Sequence, residues 1–303
     1  MGDPSGVGSE IIIKALSNNL IKEKADFVVI GDRWVFGRSQ DYEFVDLNNV
    51  NRKNFRFGKI KAEYGRAAIE YLDRALELIK NKEIDCLVTS PVSKEAINLA
   101  GFSFTGHTEY LARHLACKDF VMMLLNGDLR ISLVTRHIPL RSVSLTLNRE
   151  KLYKTILITH SALKNIFLIK RPRIVVCGLN PHASDNGLMG NEEQTVILPV
   201  IKKISGRLSA EIDGPISADV AISKTKARLY HCAIAMYHDQ ALIPLKLFSA
   251  HNGVNLTLGL PLVRTSPLHG TAFDIAGRNL ADPNSLIEAI KLAVKCTLNL
   301  KKA

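Results

Sequence analysis

The stretch from residue 131 to residue 182 decides the fold. It opens on ISLVTRH (Ile131 to His137) and closes on IVVCGLNPH (Ile174 to His182). Between them the spacing predicts a helix over 152–166. Two short apolar runs joined by an amphipathic helix are the repeating unit of an α/β protein. The same alternation extends outward in both directions. Further strands are predicted at 27–30, 86–89, 120–125, 233–237 and 254–258. Helices are predicted at 10–20, 67–80, 191–204 and 285–299. In the helix at 67–80, Ala68, Leu72, Ala75, Leu76 and Ile79 fall at helical spacing. Most of these strands are continuous apolar runs, which is the pattern of a sheet covered on both faces.

In such sheets ligands gather beyond the carboxyl ends of the strands. Three predicted strand exits carry a histidine: His137, His182 and His238, the last in AIAMYH. Their separations, 182 − 137 = 45 and 238 − 182 = 56 residues, are not a local metal motif. A lone histidine at a strand end usually caps or meets solvent. Three such exits carry more weight, although only tertiary structure could unite them.

Composition removes several classes. The chain has 303 residues, 47% hydrophobic and 23% charged, so wholesale disorder is excluded. No apolar run is long enough for a membrane helix, and MGDPSGVGSE does not read as a secretory signal. Five scattered cysteines without a C-x-x-C pair argue against a disulfide framework or zinc knuckle and point to the cytoplasm. The net charge of +11 comes from dispersed Lys and Arg, with no nucleic-acid signature. An anionic small molecule accounts for it equally well.

Four further strings are polar where chemistry is expected. GDPSGVG (2–8) precedes a helix, and Gly6 and Gly8 would let backbone approach an anion, or simply form a helix-entry turn. TSPVSKEAINLAGFSFTGHTEYL (89–111) holds Ser90, Ser93, Lys94, His107 and Thr108. There Ser93 is equally readable as the cap of a helix starting near Lys94. YHDQALIPLK brings Lys246, and GVNLTLGLPLVRTS brings Asn255 and Arg264. Lys and Arg converging would suit a phosphate.

These strings, with GLNPHASDNGLMGNEE, GPISADVAI and HGTAFDIAG, occur in an order that resembles the 4-hydroxythreonine-4-phosphate dehydrogenase family from Gly2 to about Leu300. The resemblance implies two α/β domains with a cleft between them, like isocitrate and isopropylmalate dehydrogenases. The lobes expected are 1–20 with 115–245, carrying dimer contacts and metal, and 21–114 with 246–303, on the nucleotide side. It implies a homodimer whose active site is shared between subunits, with no nucleic acid or membrane as partner. His137, His182 and His238 match the family's metal ligands. Three neutral imidazoles suit zinc, cobalt or nickel better than magnesium; zinc is the first expectation, cobalt or magnesium the alternatives. His107, Thr108, Lys246, Asn255 and Arg264 match substrate contacts. Asp219 and Lys246 are the expected catalytic pair. His269, Gly270, Thr271, Ala272 and Asp274 resemble an adenosine-binding loop, implying NAD, or NADP, as cofactor. His114, His160, His231 and His251 match no ligand and read as structural or exposed.

The reaction implied is oxidation of 4-phosphooxy-L-threonine, followed by decarboxylation to 3-amino-2-oxopropyl phosphate, in pyridoxal 5′-phosphate biosynthesis. A dehydrogenase of threonate or erythronate 4-phosphate is the near alternative, and a non-catalytic metabolite-binding protein the distant one. In the family a short strand precedes the string that here begins at Gly2. The expectation is a start upstream of Met1, or else a missing strand.

Overall fold

The computed structural model describes residues 1–37, 42–104, 106–248 and 251–302. The chain forms two compact α/β units, Met1–Lys118 with Leu260–Thr297, and Asp119–Gly259 with Leu298–Ala303. Both differ from the expected lobes. Residues 1–20 belong with 21–118, because helix α1 (Gly8–Leu16) buries Val7, Ile11, Ala15 and Leu16 in one cluster with Val29, Phe36, Leu286, Ile287 and Ile290. Residues 246–259 belong to the second unit, because β9 (Val254–Leu258) pairs along its length with β4 (Val121–Asn126).

In the first unit, β1 (Val28–Gly31) pairs in parallel with β2 (Glu43–Asp46), and β3 (Cys86–Val88) with β10 (Val263–Pro267). The helices are α1, α2 (Asn19–Lys22), α3 (Arg33–Phe36), α4 (Ala62–Lys80), α5 (Lys94–Leu99), α6 (His107–His114) and most of α12 (Asn284–Leu300). The predicted helix over 10–20 is two helices, because Asn18 caps α2 by accepting the Leu20 N–H at 3.0 Å. Ser93 is a helix cap: its hydroxyl accepts the Ala96 N–H at 3.1 Å. Of the face its spacing predicts, helix α4 buries Ala68, Leu72, Ala75 and Leu76 and leaves Ile79 half-buried; Tyr64, Ala67 and Tyr71 are buried as well. It meets α5 at Gly65, where a Cβ would stand 2.1 Å from the Ala96 carbonyl oxygen. Only glycine permits that approach.

The second unit orders its strands β9-β4-β5-β8-β6-β7, with β5 at Leu129–Leu133, β6 at Arg173–Cys177, β7 at Glu211–Ile216 and β8 at Cys232–Ala235. Every residue of β4, β8 and β9 is buried, as a sheet covered on both faces requires. Its helices are α7 (Val143–Thr146), α8 (Arg149–Asn165), α9 (Leu198–Ile204), α10 (Ala218–Lys226) and α11 (His238–Phe248). The predicted helix over 191–204 starts instead as a π-helical turn at Glu193–Ile197. Pro199 sits in the first turn of α9, where its missing N–H is tolerated. The strand predicted over 233–237 stops at Ala235, because the Met236 N–H turns to the Gln240 side-chain oxygen at 2.7 Å.

Candidate active site

Strand β10 carries Arg264 into the first unit. Arg264 is 2% exposed, and its guanidinium donates to Thr89 Oγ1 at 2.6 Å and to Thr108 Oγ1 at 3.4 Å. Burial pulls its pKa down to about 10, opposed by the Glu109 carboxylate, so it remains a cation at neutral pH. Thr108 is the second residue of α6 and is itself buried. Its neighbour His107 is held neutral, since burial, and next the positive charge of Arg264, push its pKa well below 6.5.

Beside this group lies a cavity of about 170 Å³, lined by residues including Ser90, Lys94, His107, Ser266, His269 and Gly270. Among the described residues no carboxylate lines it, so its chemistry suits an anion carrying hydrogen-bond acceptors. Thus His107, Thr108 and Arg264, expected at the substrate, adjoin His269 and Gly270, expected at the cofactor. The rest of that loop is braced from behind. The Thr271 carbonyl accepts the Val7 N–H at 3.0 Å, and a Cβ on Gly6 would meet the Thr271 carbonyl oxygen at 3.1 Å. A Cβ on Gly8 would stand 2.1 Å from the Met1 carbonyl oxygen. The glycines of GDPSGVG therefore make room for protein backbone, which is the helix-entry reading and not the anion-loop reading. Ala272 adopts a left-handed backbone, φ 44°, and Asp274 is exposed.

In the second unit, His137 and His238 face each other with ring centroids 5.3 Å apart. Two imidazoles bonded to one cation at about 2.1 Å place their centroids about 5 Å apart at a tetrahedral angle. The pair therefore fits a shared divalent cation. His238 Nδ1 lies 2.7 Å from Asp239 Oδ1, the kind of carboxylate contact that orients a ligating ring and leaves its Nε2 to the metal. His182 does not join them: among the described residues no three His, Cys, Asp or Glu side chains gather to hold a metal. Its side chain is 73% exposed and lies 3.4 Å from Asp185 Oδ2.

His182 opens a run of five residues, His182 to Asn186, with φ between 42° and 70°. Left-handed backbone costs a non-glycine residue about 1–2 kcal/mol, so such a run needs support on all sides. The buried Glu193 supplies some of it, accepting the Leu179 and Asn180 N–H groups at 2.8 Å each. A cavity of about 350 Å³ lies under the turn, lined by His182, Asp185, Glu193, Gln194 and Pro215 among others.

Asp219, in the first turn of α10, is exposed. The Ser217 hydroxyl, then the Val220 N–H, and more weakly His182 hold its carboxyl below the ordinary value. Lys246 is exposed near the end of α11, and Asn255 is buried in β9 opposite Leu124. Sequence reasoning flagged Ser90 and Lys94 but did not count them as site residues. It missed Glu193 and Gln240, although both lie in the GLNPHASDNGLMGNEE and MYHDQALIPLK strings. His231 is structural as expected, its Nδ1 accepting the Arg173 N–H at 2.8 Å. No helix among the described residues is long and apolar enough to cross a membrane, and all five cysteines are free thiols.

The architecture is shared with a class of dehydrogenases. Isocitrate dehydrogenase from Methylococcus capsulatus superposes with a TM-score of 0.55 over 99% of this chain and 85% of that one; at 14% identity this is a likeness of fold alone. The chain belongs to the family described as "Pyridoxal phosphate biosynthetic protein PdxA", whose model matches residues 6–293. It is 41% identical to 4-hydroxythreonine-4-phosphate dehydrogenase from Sulfurihydrogenibium sp., covering 97% of this chain and 96% of that one. It is 37% identical to D-threonate 4-phosphate dehydrogenase from Cupriavidus necator, covering 96% and 94%. The crystal structure of 4-hydroxythreonine-4-phosphate dehydrogenase from Klebsiella pneumoniae matches with a TM-score of 0.87 at 34% identity, covering 98% and 96%.

Proposed function

We propose that this chain is a dehydrogenase that oxidises 4-phosphooxy-L-threonine with NAD and feeds pyridoxal 5′-phosphate synthesis. The observation that carries the reading is the cavity beside His107, Thr108 and the buried Arg264, lined by no carboxylate among the described residues. A buried arginine held by two threonine hydroxyls is a fixed positive charge, suited to a substrate phosphate. Neutral His107 can donate or accept a hydrogen bond to the substrate without adding charge. Lys246 and Asn255 are assigned to the same phosphorylated substrate. Asp219 is assigned to its ammonium group or to proton transfer.

His269, Gly270, Thr271, Ala272 and Asp274 are assigned to the nicotinamide dinucleotide, which accepts the hydride when bound. His137 and His238 would hold a divalent cation, with His182 as the third ligand. Such a cation supplies Lewis-acid polarisation of the reacting alcohol and, later, of the ketone. The β-keto acid that results loses carbon dioxide to give 3-amino-2-oxopropyl phosphate. The spread of His182 from the other two supports a site completed by a second copy of the chain. So do the exposed apolar side chains Leu140, Leu145, Leu188 and Leu247 of the second unit. A cytoplasmic location is part of the same reading, consistent with the free thiols.

The C. necator relative raises a second substrate, threonate 4-phosphate, which differs at C2 by a hydroxyl in place of the amine. Purified protein is assayed for NADH with each substrate, with zinc, cobalt or magnesium added. Turnover of 4-phosphooxy-L-threonine ahead of the threonate ester is expected. The reverse order would move the chain to the second substrate, and silence with both would sink the reading.

A further inference from the structure

We propose that Glu193 is a positioning residue that acts on the reaction through the turn presenting His182. The inference rests on the assignment of His182 above. Glu193 is 2% exposed, and a buried carboxylate is costly unless its oxygens are hydrogen-bonded. They are. Oε1 accepts the N–H groups of Leu179 and Asn180 at 2.8 Å each, and Oε2 accepts Asn180 Nδ2 at 2.9 Å. All three donors belong to the two residues just before Pro181 and His182. The acid therefore grips the backbone at the point where it leaves β6 for the turn.

The surroundings are shaped for that grip. A Cβ on Gly178 would stand 2.8 Å from Ala183 Cα and 3.2 Å from Glu193 Oε1, so glycine there lets turn and carboxylate close in. The Gly178 N–H donates to the Ile216 carbonyl at 2.8 Å, and its own carbonyl accepts Gln240 Nε2 at 2.8 Å. Gln194, next to Glu193, donates to the Asn186 carbonyl at 2.6 Å and closes the far end of the turn. Backbone in sparsely populated conformations persists only where its surroundings over-determine it, and such segments cluster at functional sites. Glu193 holds the two residues that lead into the turn, and Gln194 holds Asn186 at the end of the left-handed run whose first member is His182.

The test uses the full chain as wild type, Glu193→Ala, Glu193→Asp, His182→Ala and the double variant Glu193→Ala/His182→Ala. Cobalt(II) is titrated and followed by its visible absorption, and kcat/KM is measured in parallel. Glu193→Ala is expected to weaken cobalt binding by about 10–100-fold, the usual effect of losing a group that orients a ligand. The double variant is expected to bind no more weakly than His182→Ala alone, since both changes act through one side chain. Should Glu193→Ala fail to fold, Glu193→Asp carries the same cycle with an expected loss of about tenfold. A folded Glu193 variant with unchanged cobalt affinity, or losses that multiply in the double variant, would overturn the proposal. A wild-type chain that takes up no cobalt contradicts the metal assignment instead. The cycle in kcat/KM then decides positioning by the same non-additivity.

Discussion

Arg264 in the first unit is 2% exposed and clamped between Thr89 and Thr108, whereas the His182 side chain in the second is 73% exposed on a left-handed turn. The contrast extends to their neighbours. His107, Thr108, His269 and Gly270 are set by α6 and a braced loop around or beside one cavity. His137 and His238 pair, but among the described residues no third His, Cys, Asp or Glu joins them. The first unit therefore has a buried cation beside a cavity, both set by packing, which the proposed function takes as the substrate's anion site. The second holds His137 and His238 side by side with His182 apart, the arrangement expected if, as proposed above, the cation is shared between subunits.

Three perturbations sharpen this comparison. The largest effect is expected from Arg264→Ala. It removes the fixed charge of the preformed half, and kcat/KM should fall about a thousandfold, or about 4 kcal/mol of transition-state stabilisation. Steady-state kinetics on folded protein checks this, and a loss under tenfold would deny Arg264 its role. Next comes Gly65→Ala, which forces a Cβ to 2.1 Å from backbone where α4 crosses α5. Overpacking of this kind costs about 1–3 kcal/mol, so the melting temperature should drop by several degrees. The metal affinity of the second unit should be unchanged. The smallest effect concerns pH. His107 has a folded pKa below its unfolded value near 6.5, so the unfolded chain binds the proton more readily. Stability should be full above pH 6.5 and fall as pH drops from there toward the folded pKa, by at most about 1.4 kcal/mol per pH unit. His107→Asn should flatten that slope in denaturant titrations at stepped pH, and an unchanged slope would show that His107 is not buried neutral.

The sequence made the apolar strands legible because burial on both faces leaves a continuous hydrophobic run, as in β4 and β8. Strand β10, VRTSP, escaped that reading although all five residues are buried. Two of its polar side chains bond partners distant in sequence, Arg264 to Thr89 and Thr265 Oγ1 to the Ala289 carbonyl at 2.8 Å, and no local pattern announces such partners. Strand β7 escaped as well; it contains Gly214 and Pro215, residue types depleted in strands, and lies at the end of its strand order, where proline is tolerated. Of the candidate site, the histidines were visible as a coincidence of strand exits, and their metal role came from the family resemblance. Glu193 was not visible at all. A glutamate at the start of a helix is ordinarily solvated, and only the fold turns this one inward onto the backbone of Leu179 and Asn180.

The most direct test of this division of labour is calorimetric titration of 4-phosphooxy-L-threonine into chelator-stripped protein, with NADH formation followed in parallel. If the first unit is preformed and the second awaits its metal, the stripped protein binds the substrate saturably and makes no NADH. Turnover then returns on adding zinc or cobalt. A stripped protein that fails to bind the substrate, or that turns it over at the full rate without metal, would contradict the account.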